Sequence, residues 1–131
     1  MTTDIQADHL LGLAAFLDKA AARRWRACAE LRSGWAKLSA DLPHRYDPLA
    51  AYRVDCAAWH ADAVAAKLRA LGSPDEVCVI GGVDVDEAMM PLKEAVAEVV
   101  GDLGGQVISC APGKLAYYES GDQGIRMILR K

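Results

Sequence analysis

The apolar positions change period near the middle of the chain. From Leu10 they recur at Leu13, Leu17, Ala21, Cys28, Leu31, Trp35, Leu38 and Leu42, in the steps of three, four and seven that mark one face of a helix. The stretch "DKAAARRWR" offers a joint between Asp18 and Ala22. Two helices are expected rather than one, because a short helix folding back buries Phe16 and Leu17. "LPHRYDP" then breaks the pattern with two prolines and an aspartate. Asp47 suits an N-cap and Pro48 a first helical turn, so a further helix is predicted from Pro48, with Leu49, Tyr52, Cys56, Trp59 and Ala63 on one stripe. Lys67 and Arg69 complement the dipole at its end, and Gly72 stops it.

From Asp75 the pattern is strand-like. "EVCVIGG" is a short continuous apolar run, as in a buried strand. "MPLKEAVAEVVGDLGG" returns to helical spacing, with Pro91 at its start and Leu92, Ala95, Val96, Val99 and Val100 as its apolar face. "QVISCA", "KLAYYES" and "IRMILRK" follow as three strands separated by the turns "PG" and "GDQG". The predicted fold is α+β: an N-terminal helical half of two or three helices (residues 1–72) packed on a small four-stranded mixed sheet of order β-α-β-β-β in residues 75–131. The crossover helix is expected to leave the first two strands parallel and the last three as a meander.

The chain has 131 residues, enough for one domain with its own core, and residues 1–131 are read as a single domain. Its first ten residues, "MTTDIQADHL", hold two aspartates and no Lys or Arg, unlike the basic leader of a signal peptide, and no uncharged stretch approaches the length of a spanning helix. A cytoplasmic protein without membrane contact is expected. The four cysteines, Cys28, Cys56, Cys78 and Cys110, are far apart and sit among apolar neighbours, so they read as free buried thiols rather than disulfide or zinc ligands.

Charge divides the chain unevenly. Residues 1–72 carry +2, whereas residues 73–131 hold five Lys/Arg against ten Asp/Glu and carry −5. An acidic C-terminal half disfavours a nucleic-acid partner, since phosphates are repelled. "RRWR", Arg23 to Arg26, is a local basic cluster, but on a helix its side chains diverge and Trp25 fits the apolar stripe.

Three carboxylates, Asp84, Asp86 and Glu87, follow the glycines of "VCVIGGVDVDE". They argue against a phosphate loop, because they would face the anion, and the GxGxxG spacing is missing. An EF-hand counted from Asp84 fails, with Met89 and Ala95 where glycine and glutamate belong. The Asp-x-Asp of Asp84 and Asp86 after a strand resembles the nucleophile loop of haloacid-dehalogenase-type phosphatases, but the likeness ends at those two residues. Ala88 stands where that family has Thr or Val, and the remaining chain is too short for its other motifs. Cys56 and His60, four apart, are read as one inward and one marginal residue of a helix. Neither a cofactor nor a catalytic set is implied.

The adjacent Tyr117 and Tyr118 face opposite sides of a strand, and one of them is expected to be exposed beside Glu119. The functional expectation is a non-catalytic protein-binding domain of the general character of an antitoxin or immunity-type inhibitor. It would engage a basic partner through Asp84, Asp86, Glu87, Tyr117, Tyr118 and Glu119. The competing expectation is a small enzyme or ligand-binding regulator with a pocket between helices and sheet.

Overall fold

The computed structural model describes residues 2–31, 34, 35, 37, 38, 40, 42, 46–81, 88–102, 105–120 and 125–131. Among them are four α-helices with defined ends: α1 (Thr2–Gly12), α2 (Lys19–Ala29), α3 (Ala61–Ala70) and α4 (Leu92–Val99). Six strands form one sheet: β1 (Arg53–Val54), β2 (Glu76–Ile80), β3 (Ala88–Pro91), β4 (Gln106–Ala111), β5 (Leu115–Glu119) and β6 (Arg126–Arg130). The sheet order is β1-β6-β5-β4-β2-β3, and every neighbouring pair is antiparallel.

This corrects the expected four-stranded mixed sheet. The chain is α+β, but β3 was not foreseen, and it changes the direction of everything after it. β2 pairs with β3 and then, on its other edge, with β4 (Cys78 opposite Ser109, Ile80 opposite Val107), so the first two predicted strands are antiparallel neighbours. β3, α4 and β4 form the crossover, with β2 lying between its two strands. The four residues "AMMP" give little periodic signal, and their proline is tolerated because β3 is an edge strand. The last three strands do form a meander.

The predicted helix from Pro48 is also corrected. Residues Ala50–Tyr52 make a single 3₁₀ turn, β1 pairs with β6 (Arg53 opposite Leu129), and α3 begins only at Ala61. Edge pairing by Arg53 and Val54 overrides the helical spacing, as β-propensity does where a sheet edge is available. His60 is the N-cap of α3, its Nδ1 accepting from the Ala63 amide at 3.3 Å. Cys56 lies outside the helix, its thiol donating to the Ala58 carbonyl. The two therefore do not share a helix face. The joint at Asp18 is found where expected: Asp18 caps α2, accepting from the Ala21 amide at 2.8 Å. Leu31, assigned to the stripe, is 64% exposed.

Both faces of the sheet are covered, and alternate strand residues divide between two cores. Cys78, Ile80, Val107, Ala116, Tyr118, Met127 and Leu129 pack under α1, α2 and the helical residues Trp35, Leu38 and Leu42, against Leu10, Phe16 and Trp25. Val77, Val79, Ile108, Cys110, Leu115, Tyr117 and Ile128 pack under α3 and α4, against Val64, Leu68, Leu92 and Val96. The predicted helical half is thus split, with α1 and α2 on one side of the sheet and α3 on the other. Among the described residues no helix is long and apolar enough to cross a membrane.

A buried polar contact ties α1 to the centre of the sheet. His9 Nδ1 and Ser109 Oγ on β4 are hydrogen-bonded at 2.6 Å, with both residues inside the core. Burial holds the His9 imidazole below the usual histidine range, opposed by the nearby charge of Asp8. A base depressed in this way stays neutral in the fold while the unfolded chain takes the proton. The stability it contributes is complete above its ordinary value of 6.5 and is lost as the pH falls from there toward the folded value. Denaturant unfolding of wild type and His9→Gln between about pH 7 and 5 is expected to show their difference in stability shrinking as the pH falls, by at most about 1.4 kcal/mol per pH unit. A difference independent of pH would mean that His9 is not held neutral.

Candidate functional site

The antiparallel sheet gathers one set of strand ends. β2 leaves the sheet at Ile80, β4 enters at Gln106, β5 leaves at Glu119 and β6 enters at Arg126, and the register makes these ends neighbours. The segments 81–87, 100–105 and 120–125 therefore attach to the same end. Gly81 makes the tight exit from β2. Its φ is +93°, and a Cβ there would come within 2.9 Å of the Gly105 carbonyl oxygen, so only glycine fits beside the entry to β4.

Beneath this end lies a polar row. Gln106, Glu119 and Arg126 stand directly opposite one another on β4, β5 and β6, on the same face as Tyr117. The Glu119 side chain is fully buried. Its Oε1 accepts from the Tyr117 hydroxyl at 2.8 Å and from the Gly101 amide at 2.8 Å, which anchors the turn after α4. Arg126 Nε is 3.4 Å from the same oxygen, an ion pair without hydrogen-bond geometry, while Nη1 donates to the Trp59 carbonyl at 2.9 Å. One carboxylate and one guanidinium thus join β5, β6, the end of α4 and the chain leading into α3.

The site residues expected from the sequence separate into two groups. Tyr117, Tyr118 and Glu119 are 0%, 3% and 0% exposed, so the exposed tyrosine is not found. The two tyrosines do face opposite ways, but each side of the sheet has its own helical cover. Tyr117 lies under Trp59, with ring centroids 6.3 Å apart, and Tyr118 donates to the Leu42 carbonyl and meets Tyr46 edge-on. As folded, these three residues support the end of the sheet from inside and present no surface. Asp84, Asp86 and Glu87 lie outside the described residues; in the sequence they fall between β2 and β3. Sequence reasoning missed Arg126 and Gly101, and the cross-strand register that pairs Glu119 with Arg126 was not available from spacing alone.

Other reactive groups are placed in the core. A Ser–His contact can activate a nucleophile, but Ser109 is 1% exposed under α1, closed to any substrate carbonyl. All four thiols are free, with Cys78 and Cys110 buried and Cys28 and Cys56 half-buried. Burial pushes the Cys110 thiol up to about 11, with the Ser73 hydrogen bond opposing, so it is protonated at neutral pH. Among the described residues no group of three His, Cys, Asp or Glu is arranged to hold a metal ion.

Removing the Glu119 carboxylate leaves the Tyr117 hydroxyl and the Gly101 amide without their acceptor and Arg126 without its counter-charge. Glu119→Ala is expected to cost about 3 kcal/mol in urea unfolding, and Glu119→Gln, which keeps an acceptor oxygen, roughly half of that. Equal, small losses would deny the carboxylate its role. Tyr117 supplies an alkaline test. Burial first, then the Glu119 acceptor and its charge, raise the hydroxyl well above the ordinary tyrosine value, and burial with Tyr118 does the same for Tyr46. An acid raised in the fold contributes stability below its unfolded value of about 10 and loses it as the pH rises further. In an absorbance titration of the four tyrosines, Tyr46 and Tyr117 are expected to ionise only as the fold is lost, in one step that coincides with the loss of circular dichroism. Gradual ionisation of all four in the intact fold would contradict that burial. No family model, curated protein or solved structure matches this chain.

Proposed function

We propose that the chain is a non-catalytic, cytoplasmic protein-binding domain whose acidic end engages a basic protein partner, in the general manner of an antitoxin or immunity-type inhibitor. The observation that carries this reading is the convergence of strand ends. The segments 81–87, 100–105 and 120–125 hold Asp84, Asp86, Glu87, Asp102 and Asp122 and no Lys or Arg, and all three attach to one end of the sheet. Arg126, the nearest cation, is engaged with Glu119 and Trp59. α4 also ends here with no basic residue in its last turn, so its carbonyl end adds partial negative charge.

The other end of the sheet is mixed in charge, with Asp75 and Glu76 exposed at the start of β2. Arg53, Arg130 and Lys131 are exposed there, and the Lys131 amide bonds the carbonyl of Lys114 in the β4–β5 turn. The end with segments 81–87, 100–105 and 120–125 carries five acids in those segments, and such a concentration of one sign attracts a basic surface and speeds its capture. Asp84, Asp86 and Glu87 are the residues assigned to contact the partner, while Glu119 holds the strand ends together. Four free cysteines fit a reducing compartment.

Affinity capture from the source cell with the wild-type chain and with the Asp84→Ala/Asp86→Ala/Glu87→Ala variant is the first step. Titration of the recovered protein against both chains then follows. The partner is expected to be basic, to bind the variant roughly tenfold more weakly, and to lose affinity with added salt. Equal affinity for the two chains, or recovery of no basic protein, would overturn the reading.

A further inference from the structure

The chain after α2 doubles back on it at Gly34. The Gly34 amide donates to the Leu31 carbonyl at 2.8 Å, and a Cβ at this position would overlap the carbonyl oxygen of Cys28, so a reversal this tight requires glycine. Trp35 fastens the return limb through its Nε1, which donates to the Ala29 carbonyl at 2.8 Å. Between α2 and the returning limb is a cleft of about 460 Å³, within the size range of sites for small organic molecules.

The floor of the cleft is apolar, made by Leu17, Trp25 and Leu38. Trp25 is 6% exposed, packs on Tyr46 with ring centroids 5.2 Å apart and spends its indole N–H on the Leu10 carbonyl at 2.7 Å, so the small surface it gives the cleft is carbon. Four charged groups line the cleft, and their states differ. Asp18 is committed to the α2 N-terminus, and Asp47 pairs with Arg53 at 3.6 Å. Arg24 on α2 and Lys37 on the opposite limb have no ion-pair partner among the described residues. Two cations from separate limbs thus share an apolar-floored cleft with both acids already engaged.

We propose that this cleft binds a small organic anion with an aromatic or other apolar body, its carboxylate taken by Arg24 and Lys37 and its body laid against Trp25. The site shares no residue with the acidic end of the sheet and stands independently of the protein-binding reading.

Cys28 lines the same cleft and reports its occupancy. Of the other thiols, Cys78 and Cys110 are buried and Cys56 lies on the far side of the sheet, so a Cys56→Ser chain leaves Cys28 as the reactive thiol. Two disulfide reagents serve as probes: the aromatic dicarboxylate 5,5′-dithiobis(2-nitrobenzoate) and the uncharged 4,4′-dithiodipyridine. In each case the Cys28 thiolate attacks one sulfur, forms a mixed disulfide and releases one aromatic thiolate or thione, which is measured by its absorbance. Relative to glutathione, Cys28 is expected to prefer the dicarboxylate over the neutral reagent roughly tenfold, and Arg24→Gln/Lys37→Gln, both exposed positions, should abolish that preference. In the Cys56→Ser chain with its cations intact, 1-naphthoate should slow the neutral reagent whereas 1-naphthamide should not. A reagent preference equal to that of glutathione, or equal protection by acid and amide, would overturn the proposal.

Discussion

The central strands β2, β4, β5 and β6 must each satisfy two cores at once, and this constraint organises the molecule. A sheet covered on one face reads as apolar-in, polar-out, but here Val77 and Val79 pack under α3 and α4 while Cys78 and Ile80 pack under α1 and α2. The same division runs through β4, β5 and β6. A one-residue slip in any central strand would exchange its two sets of side chains, placing Tyr117 where Tyr118 belongs and His9 opposite an apolar residue instead of Ser109. The buried polar contacts accordingly act as register marks. His9 with Ser109 marks one face, and Glu119 with Tyr117 and Arg126 marks the other.

Complete coverage decides where function can sit. With both faces closed, the sheet offers its ends, its edges and the outer surfaces of its helical layers. The acidic end arises from connectivity: an all-antiparallel sheet delivers the segments 81–87, 100–105 and 120–125 to one end, and each carries aspartate without a compensating cation. Glu119 is of the same sign but serves differently. Buried, and satisfied by the Tyr117 hydroxyl, the Gly101 amide and the Arg126 charge, it fixes the platform from which these segments leave. The cleft over α2 belongs to the outer helical layer. Gly34 permits the chain to return close to α2, and Arg24 and Lys37 both line the cleft between them.

Local chemistry was legible wherever one interaction dominated. The joint at Asp18, the buried run of Val77 to Ile80, the apolar face of α4 and the turn at Pro112-Gly113 each follow from a few adjacent residues. Elements stabilised by a remote partner were not legible. β1 is two residues long and exists because Arg53 and Val54 meet the edge of β6. β3 is four residues ending in proline and exists because β2 has a free edge. Its omission alone turned an antiparallel neighbour into an expected parallel one.

The sequence by itself determined the α+β class, the buried character of the run from Val77 to Ile80, the opposed orientation of Tyr117 and Tyr118, and the excess of acid after residue 73. These depend on residue type and on periods of two or 3.6, which are local quantities. Only the tertiary structure decided that both tyrosines are buried, that Cys56 and His60 lie apart, and that Glu119 is paired with Arg126. Each of those outcomes depends on which element covers which face. That was settled by pairing energies between segments far apart in the chain, most plainly by the docking of α3 and α4 on the side of the sheet that α1 and α2 leave open.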